Sequence, residues 1–258
     1  MTSFVSPNKI RADFALAMSD MYKQEVPAYG TLVSLVEQTN AETIKQGHEF
    51  AQKLSDTQGL SRLNAERHGA IRLGTAAELA TMRRLFAVMG MQPVGYYDLS
   101  EAGIPVHSTA FRPVNLDDLN ENPFRVFTSL LRLDLIGDPQ LRATAEQILA
   151  KRQIFHPRAL TLIEVYEQEG GLSQDQADAF VSAALETFRW HDQAPVSSDL
   201  YQALHDSHRL IADIVSFKGP HINHLTPRTL DIDLVQELMP SQGINPKAVI
   251  EGPPARQC

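Results

Sequence analysis

The hydrophobic pattern predicts two helices at the start of the chain. Apolar residues recur at intervals of three and four positions within residues 8–24 and again within residues 29–53, the spacing that places them on one face of a helix. Gly59 and Asn64 then predict a loop. We therefore expect this opening region to contribute helices to the fold.

The pattern becomes sheet-like near residue 68. A short apolar run over residues 68–73, flanked by glycine, predicts a strand, and residues 75–88 predict a helix. Thr75 and Glu78 have the spacing of a capping box at the start of this helix. Two further strands are predicted after it, over residues 91–100 and 104–114.

A long helical region follows these strands. Helical periodicity and the Gly and Pro residues between the periodic stretches predict five segments. They cover residues 124–136, 139–153, 157–169, 173–190 and 199–217.

The sheet-like pattern returns at Lys218. His224 and Arg228 repeat the spacing of His68 and Arg72, and each pair is followed by an amphipathic helix and a glycine. We interpret the chain as an α+β protein with two copies of one strand–helix–strand module, of which the second is incomplete in these 258 residues. The predicted parts are N-terminal helices (1–62), a first module (63–114), a helical insertion (115–217) and the start of the second module (218–258).

Composition narrows the classes of function. A formal net charge of −8 argues against a nucleic-acid-binding protein, which usually has a basic face. Cys258 is the only cysteine, so no disulfide forms within the chain and a cytoplasmic location is expected. No run of about 20 apolar residues predicts a membrane span, and the N-terminus does not resemble a signal peptide.

His68 and His224 are the candidate metal ligands. A single histidine is more often hydrogen-bonded to backbone than bound to metal, but the repeat would bring these two imidazoles to one shared cleft. Two histidines and one carboxylate with open positions form the site of non-heme Fe(II) oxygenases. The carboxylate is not assigned, because Glu251 precedes a Gly-Pro-Pro turn rather than lying on a strand.

Arg72 is the candidate substrate residue. Residues four apart on a strand share a face and lie about 13 Å apart, so His68 and Arg72 would bracket a small dicarboxylic acid. The forked guanidinium suits a carboxylate. A surface salt bridge is the alternative.

Other polar residues are weaker candidates. His107 is a possible cleft residue or a packed core histidine, and His221 is expected to be structural or to support the site. His205 and His208 are expected on a solvated helix face. Arg228 has possible partners in Asp231 and Asp233.

Four stretches of the chain resemble the 2-oxoadipate dioxygenase/decarboxylase family, also called 2-hydroxyglutarate synthases. The likeness extends along essentially the whole chain. The stretches are RHGAIRLGT, GYYDLSEAGIPVHSTAFRP, NPFRVFTSLLR and FKGPHINHLTPRTLDID.

The resemblance implies a core similar to the vicinal-oxygen-chelate fold and an Fe(II) enzyme that converts 2-oxoadipate and O2 to 2-hydroxyglutarate and CO2 in lysine breakdown. His68 and His224 match the metal-binding histidines, and Arg72 matches the arginine that binds the substrate carboxylate. The third ligand of the family, a glutamate, has no counterpart up to Cys258, and family members are longer. We therefore expect weak or no activity from this chain alone.

Two alternatives belong to other functional classes. The first is a vicinal-oxygen-chelate isomerase or lyase that uses Zn or Mn without O2. The second is a non-catalytic fragment that binds a partner through the helical residues 115–218.

Overall fold

The computed structural model describes residues 4–46 and 59–247. These residues form eleven α-helices and five strands. The helices are α1 (Pro7–Glu25), α2 (Pro27–Lys45), α3 (Gly59–Ala65), α4 (Ala76–Val88), α5 (Leu116–Glu121), α6 (Pro139–Lys151), α7 (Pro157–Glu169), α8 (Gln174–Leu185), α9 (Ser198–Ser207), α10 (Arg209–Ser216) and α11 (Ile232–Leu238). The strands are β1 (Arg67–Leu73), β2 (Gln92–Asp98), β3 (Val106–Arg112), β4 (Arg125–Leu131) and β5 (His224–Pro227).

The two predicted N-terminal helices are confirmed as α1 and α2. Helix α1 turns Ile10, Phe14 and Met18 into the core, where all three are fully buried. Residues 47–53 of the second predicted helix lie outside the described residues. None of the helices in the described ranges is long and apolar enough to cross a membrane.

The strand and helix predicted from residue 68 onward are confirmed as β1 and α4. Thr75 accepts a hydrogen bond from the Glu78 amide, and the Glu78 carboxylate accepts one from the Thr75 amide, which completes the predicted capping box. Gly74 lies in the turn between the two elements, where a Cβ atom would come within 2.4 Å of the Leu149 side chain. Any other residue at this position would require the buried Leu149 side chain to move.

The helix predicted over residues 124–136 is wrong. Residues 125–131 form strand β4, and a short 3-10 helix follows over Leu133–Leu135. Val126, Thr128 and Leu130 are buried, and the residues between them are less so, which is the period of two expected for a strand. Pairing with β1 and β3 on either side overrides the weak helical spacing of the apolar residues.

The remaining predicted helices are confirmed with small changes at their ends. The predicted segment 199–217 is broken, because His208 is extended and separates α9 from α10. The helix predicted after Arg228 is α11, which is capped by the Asp231 carboxylate.

The five strands form one mixed sheet in the order β2-β3-β4-β1-β5. β1 runs parallel to β4, and the pairs β1–β5, β2–β3 and β3–β4 are antiparallel. The chain is thus a mixed α and β protein, as predicted.

Helices cover one face of the sheet. Ile71, Phe111, Val126 and Leu225 point from this face into a core built with α1, α4 and α8. A second apolar cluster, which includes Val106 and Leu131, packs α6, α9 and α10 over one end of the opposite face. The rest of that opposite face is partly exposed, and we call it the open face; it carries His68, Ala70, Arg72, Arg125, Phe127, Ser129, His224 and Thr226.

A buried ion pair joins the start of α4 to the end of α6. Arg152 donates two hydrogen bonds to the Glu78 carboxylate, at 2.9 and 2.8 Å, and the two side chains are only 5% and 8% exposed. Arg152 also donates to the Ile214 carbonyl oxygen, so it links α6 to α10 as well. Removing one partner leaves the other charge buried without compensation.

We predict that Arg152→Met lowers the free energy of unfolding by about 3–5 kcal/mol, because it leaves the Glu78 carboxylate buried without a positively charged partner. Urea denaturation of wild type and variant measures the change. The control is Arg84→Met, which breaks an exposed pair with Glu167 and should cost about 1 kcal/mol or less. Equal losses in the two variants would contradict the prediction.

Candidate functional site

The pairing of β1 with β5 brings His68 and His224 together. In the antiparallel register, His68 lies opposite Thr226, and Ala70 lies opposite His224. Opposite residues share a face of the sheet, and alternate residues on a strand do too. Both imidazoles therefore belong to the open face, as diagonal neighbours on adjacent strands.

The Nε2 atoms of both imidazoles are engaged within the chain. His68 Nε2 lies 2.8 Å from Glu66 Oε1, and His224 Nε2 hydrogen-bonds with Thr226 Oγ1. Neither Nδ1 atom makes a hydrogen bond to another described residue. Partial burial, with a further contribution from His68, lowers the pKa of His224 below its ordinary value, which favours the neutral imidazole that a metal requires.

Glu66 is a buried carboxylate at the edge of the open face. Its side chain is 2% exposed and contacts three basic side chains: His68, Arg125 at 3.0 Å and Arg228 at 2.9 Å. Burial alone would raise the pKa of Glu66, but the hydrogen bonds with His68 and Arg228 outweigh it and lower the pKa to about 2. Glu66 is therefore an anion throughout the physiological range.

The surroundings of Glu66 are basic. Arg125 lies close enough to Arg112, Arg228 and Arg62 that their charges lower its pKa, in addition to the larger effect of its own burial. Glu66 opposes this effect. Although the whole chain is acidic, the region beside His68 is suited to an anionic ligand.

Arg72 lies beyond the histidine pair and is already paired. Its Nη1 atom lies 2.6 Å from Asp213 Oδ2 on α10, and both side chains are about one quarter exposed. A small recess is lined by this pair together with Gly219, Pro220, His221 and Asn223. The other guanidinium nitrogens make no hydrogen bond to a described residue.

His221 lies beside Arg72 and not beside the histidine pair. Its ring packs edge-on against Trp190, with 4.4 Å between centroids. Burial lowers the pKa of His221, Asp213 opposes this shift and Arg72 adds to it. His221 thus supports the Arg72 end of the open face.

His107 does not lie on the open face, contrary to the prediction that it could line the cleft. The register pairs His107 with Leu130 of β4, and Leu130 in turn pairs with Leu73 of β1. These residues alternate with His68 and Arg72, so they point to the opposite side of the sheet. His107 stacks near Tyr96 on that side, at 5.3 Å between ring centroids.

Three further predictions have clear outcomes. Arg228 pairs with Glu66 and not with Asp231 or Asp233, so the predicted partners are wrong. His205 is half exposed on α9, as expected. His208 instead caps α10 by accepting a hydrogen bond from the Leu210 amide. Glu251 and Cys258 lie outside the described residues.

Sequence reasoning missed Glu66, Arg125 and Asp213. The only local signal for Glu66 was an acidic residue directly before a buried strand. Arg125 was missed because the residues of β4 were predicted to form a helix. Asp213 lies on a helix 141 positions from its partner, and no spacing rule connects the two.

The described ranges contain no group of three or more His, Cys, Asp or Glu side chains arranged to hold a metal ion. Two imidazoles are adjacent, but the nearest carboxylate, Glu66, is occupied by His68 and two arginines. We therefore identify no third ligand for these imidazoles among residues 4–46 and 59–247.

The fold and the open face define a mixed α and β protein with paired imidazoles and a basic surface for an anionic ligand. The 2-oxoadipate dioxygenase/decarboxylase family model matches residues 14–258, and the chain belongs to this family. This confirms the resemblance seen in the sequence.

Individual relatives agree with this membership. The 2-oxoadipate dioxygenase/decarboxylase of Pseudomonas putida is 65% identical over 254 residues, which are 98% of this chain and 55% of that protein. The crystal structure of the Pseudomonas putida hydroxyglutarate synthase in complex with 2-oxoadipate is 64% identical, with a TM-score of 0.96, and the match covers 100% of this chain and 57% of that one. The chain thus spans just over half the length of these relatives.

A more distant likeness concerns the fold alone. A putative glyoxalase superfamily protein from Ralstonia eutropha is 19% identical, with a TM-score of 0.56, and the match covers 75% of this chain and 60% of that one.

We predict that Glu66 makes stability depend on acid pH. Its pKa is about 2 in the folded chain and 4.5 ordinarily, so its contribution is fully present above pH 4.5 and is lost as the pH falls toward 2. Chemical denaturation at a series of pH values should show a steeper decline for wild type than for Glu66→Gln in this window. Parallel declines would contradict the prediction.

Proposed function

We propose that this chain carries the metal-binding and substrate-binding half of an Fe(II)-dependent 2-oxoadipate dioxygenase/decarboxylase. The reaction joins 2-oxoadipate and O2 and yields 2-hydroxyglutarate and CO2, so that both oxygen atoms of O2 enter the products. The observation that carries the proposal is the β1–β5 register, which gathers His68, His224 and Arg72 on one face. The names of the relatives and the 2-oxoadipate in the Pseudomonas putida structure support it.

The donor set of the open face fits part of an iron site. His68 and His224 would supply two imidazole ligands, which suit Fe(II) as well as Zn(II). Iron when bound would supply Lewis acidity toward the 2-oxo acid and the redox chemistry with O2. The third, carboxylate ligand is expected from outside the described residues, because Glu66 is already bound by three basic side chains.

Within the site, Arg72 would bind the distal carboxylate of 2-oxoadipate. A forked guanidinium matches a carboxylate, and Asp213 would hold it in one orientation while leaving donors for the substrate. The basic residues around Glu66 would attract the dianionic substrate to the open face. Fixing both ends of the substrate would place its keto carbon for reaction.

The strand order also supports a vicinal-oxygen-chelate-like origin. β1, α4, β2, β3 and β4 would form the first module, and β5 would begin the second. Gly69 pairs with Leu225, and each of these residues directly follows its histidine. His68 pairs with the residue two positions after His224, and His224 pairs with the residue two positions after His68. Such a register is what a local twofold axis between equivalent strands produces. The likeness to the glyoxalase superfamily protein agrees with this origin.

The expected surroundings of the enzyme follow from its chemistry and composition. Its small-molecule partners would be a 2-oxo dicarboxylic acid and O2. The enzyme would have a role in lysine degradation. A chain with one cysteine and no disulfide fits a cytoplasmic enzyme.

A turnover assay tests the proposed reaction. The chain is purified under nitrogen, loaded with Fe(II), and mixed with 2-oxoadipate and air, and 2-hydroxyglutarate is measured by mass spectrometry. We expect slow, iron-dependent product formation that His68→Ala and His224→Ala abolish. Undiminished product in either variant would contradict the site. Metal-dependent consumption of 2-oxoadipate without O2, with no 2-hydroxyglutarate formed, would favour the isomerase or lyase alternative.

A matched pair of ligands tests Arg72. Removing one charge-assisted contact costs about 1.5–3 kcal/mol, so Arg72→Met should weaken binding of 2-oxoadipate by about 10–100-fold. Binding of 2-oxohexanoate, which lacks the distal carboxylate, should change little. Calorimetric titration of the iron-loaded, oxygen-free chain measures both, with Arg84→Met as the control. Equal weakening of both ligands would contradict the assigned role.

A further inference from the structure

The Glu66 carboxylate contacts three basic side chains at once. Its carboxylate is 2% exposed, and its two oxygens are shared among side chains from three parts of the sheet. Arg125 begins β4, and Arg228 follows β5. Together they prevent the carboxylate from turning away from His68.

The bond between Glu66 and His68 has a defined direction. An ionised carboxylate only accepts hydrogen bonds, so a neutral His68 must carry its proton on Nε2. The lone pair of the ring is then on Nδ1, which makes no hydrogen bond to another described residue. Carboxylates that fix the tautomer of a ligand histidine in this way are a recurrent feature of metal sites.

We propose that Glu66 is a positioning residue that holds His68 as the Nε2–H tautomer and thereby makes Nδ1 the nitrogen that binds the metal. The part of this inference that concerns metal binding rests on the proposed function. Arg125 and Arg228 act through Glu66, because they fix the carboxylate that orients the ring. Glu66 itself does not bind the metal or the substrate.

The tautomer is measured in the metal-free chain. Nitrogen-15 NMR of histidine-labelled protein at about pH 8, above the ordinary imidazole pKa of about 6.5, separates protonated from unprotonated ring nitrogens. His68→Ala assigns the signals. We expect His68 to be the Nε2–H tautomer in wild type and a mixture of tautomers in Glu66→Gln, because a glutamine amide can donate as well as accept.

The metal affinity is measured by titration with Co(II). Loss of an outer partner of a ligand histidine typically weakens binding by about 10–100-fold, and we expect this loss for Glu66→Gln. The matched control is Glu167→Gln, which removes an exposed carboxylate paired with Arg84 and should leave the affinity and the His68 spectrum unchanged. Circular dichroism verifies that each variant is folded.

The outcomes separate this inference from the proposed function. If wild type takes up no Co(II), or if His68→Ala binds it equally well, the metal site fails and the inference fails with it. If wild type binds and His68→Ala does not, but Glu66→Gln binds normally, only the role of Glu66 is overturned. An Nδ1–H tautomer in wild type also overturns that role, even if Glu66→Gln does not fold.

Discussion

The antiparallel pairing of β1 with β5 is the contact on which the open face depends. It joins residues more than 150 positions apart through a register of only four residue pairs. The segment before β5 is held on both sides, since the Ile222 amide donates to the Phe188 carbonyl and the Asn223 amide donates to the Ala70 carbonyl. A shift of one residue would turn His224 to the other face of the sheet, so these contacts determine that His224 lies on the same face as His68.

The charge of the open face is the second constraint, and it is opposite to that of the whole chain. The formal net charge is −8, yet Glu66 is the one carboxylate described beside His68, and Arg125 and Arg228 share it. A buried carboxylate is tolerated only when hydrogen bonds and opposite charges compensate its desolvation. Here that compensation leaves excess positive charge, which favours an anionic ligand.

Local sequence patterns predicted most of the helices and strands. The features that these patterns missed depend on contacts between residues that are far apart in the sequence. The helices α1 and α4 and the strand β1 follow from periodicity and capping residues that lie within a few positions of each other. β4 was mistaken for a helix because the two strands that bury it lie elsewhere in the sequence. His107 was misplaced for a related reason, since its face depends on the register with β4. The adjacency of His68 and His224 was predictable only because the His-x-x-x-Arg spacing occurs twice.

The repeated spacing does not produce equivalent surroundings. Arg72 and Arg228 hold matching places after their histidines, but Arg72 pairs with Asp213 on α10, and Arg228 pairs with the buried Glu66. The first pair is about one quarter exposed, so its guanidinium can still meet a ligand. The second is tied to a side chain with almost no access to solvent. Two copies of one spacing therefore have different contacts: Arg72 remains partly exposed beside Asp213, where the proposed substrate would bind, whereas Arg228 holds the buried carboxylate that contacts His68.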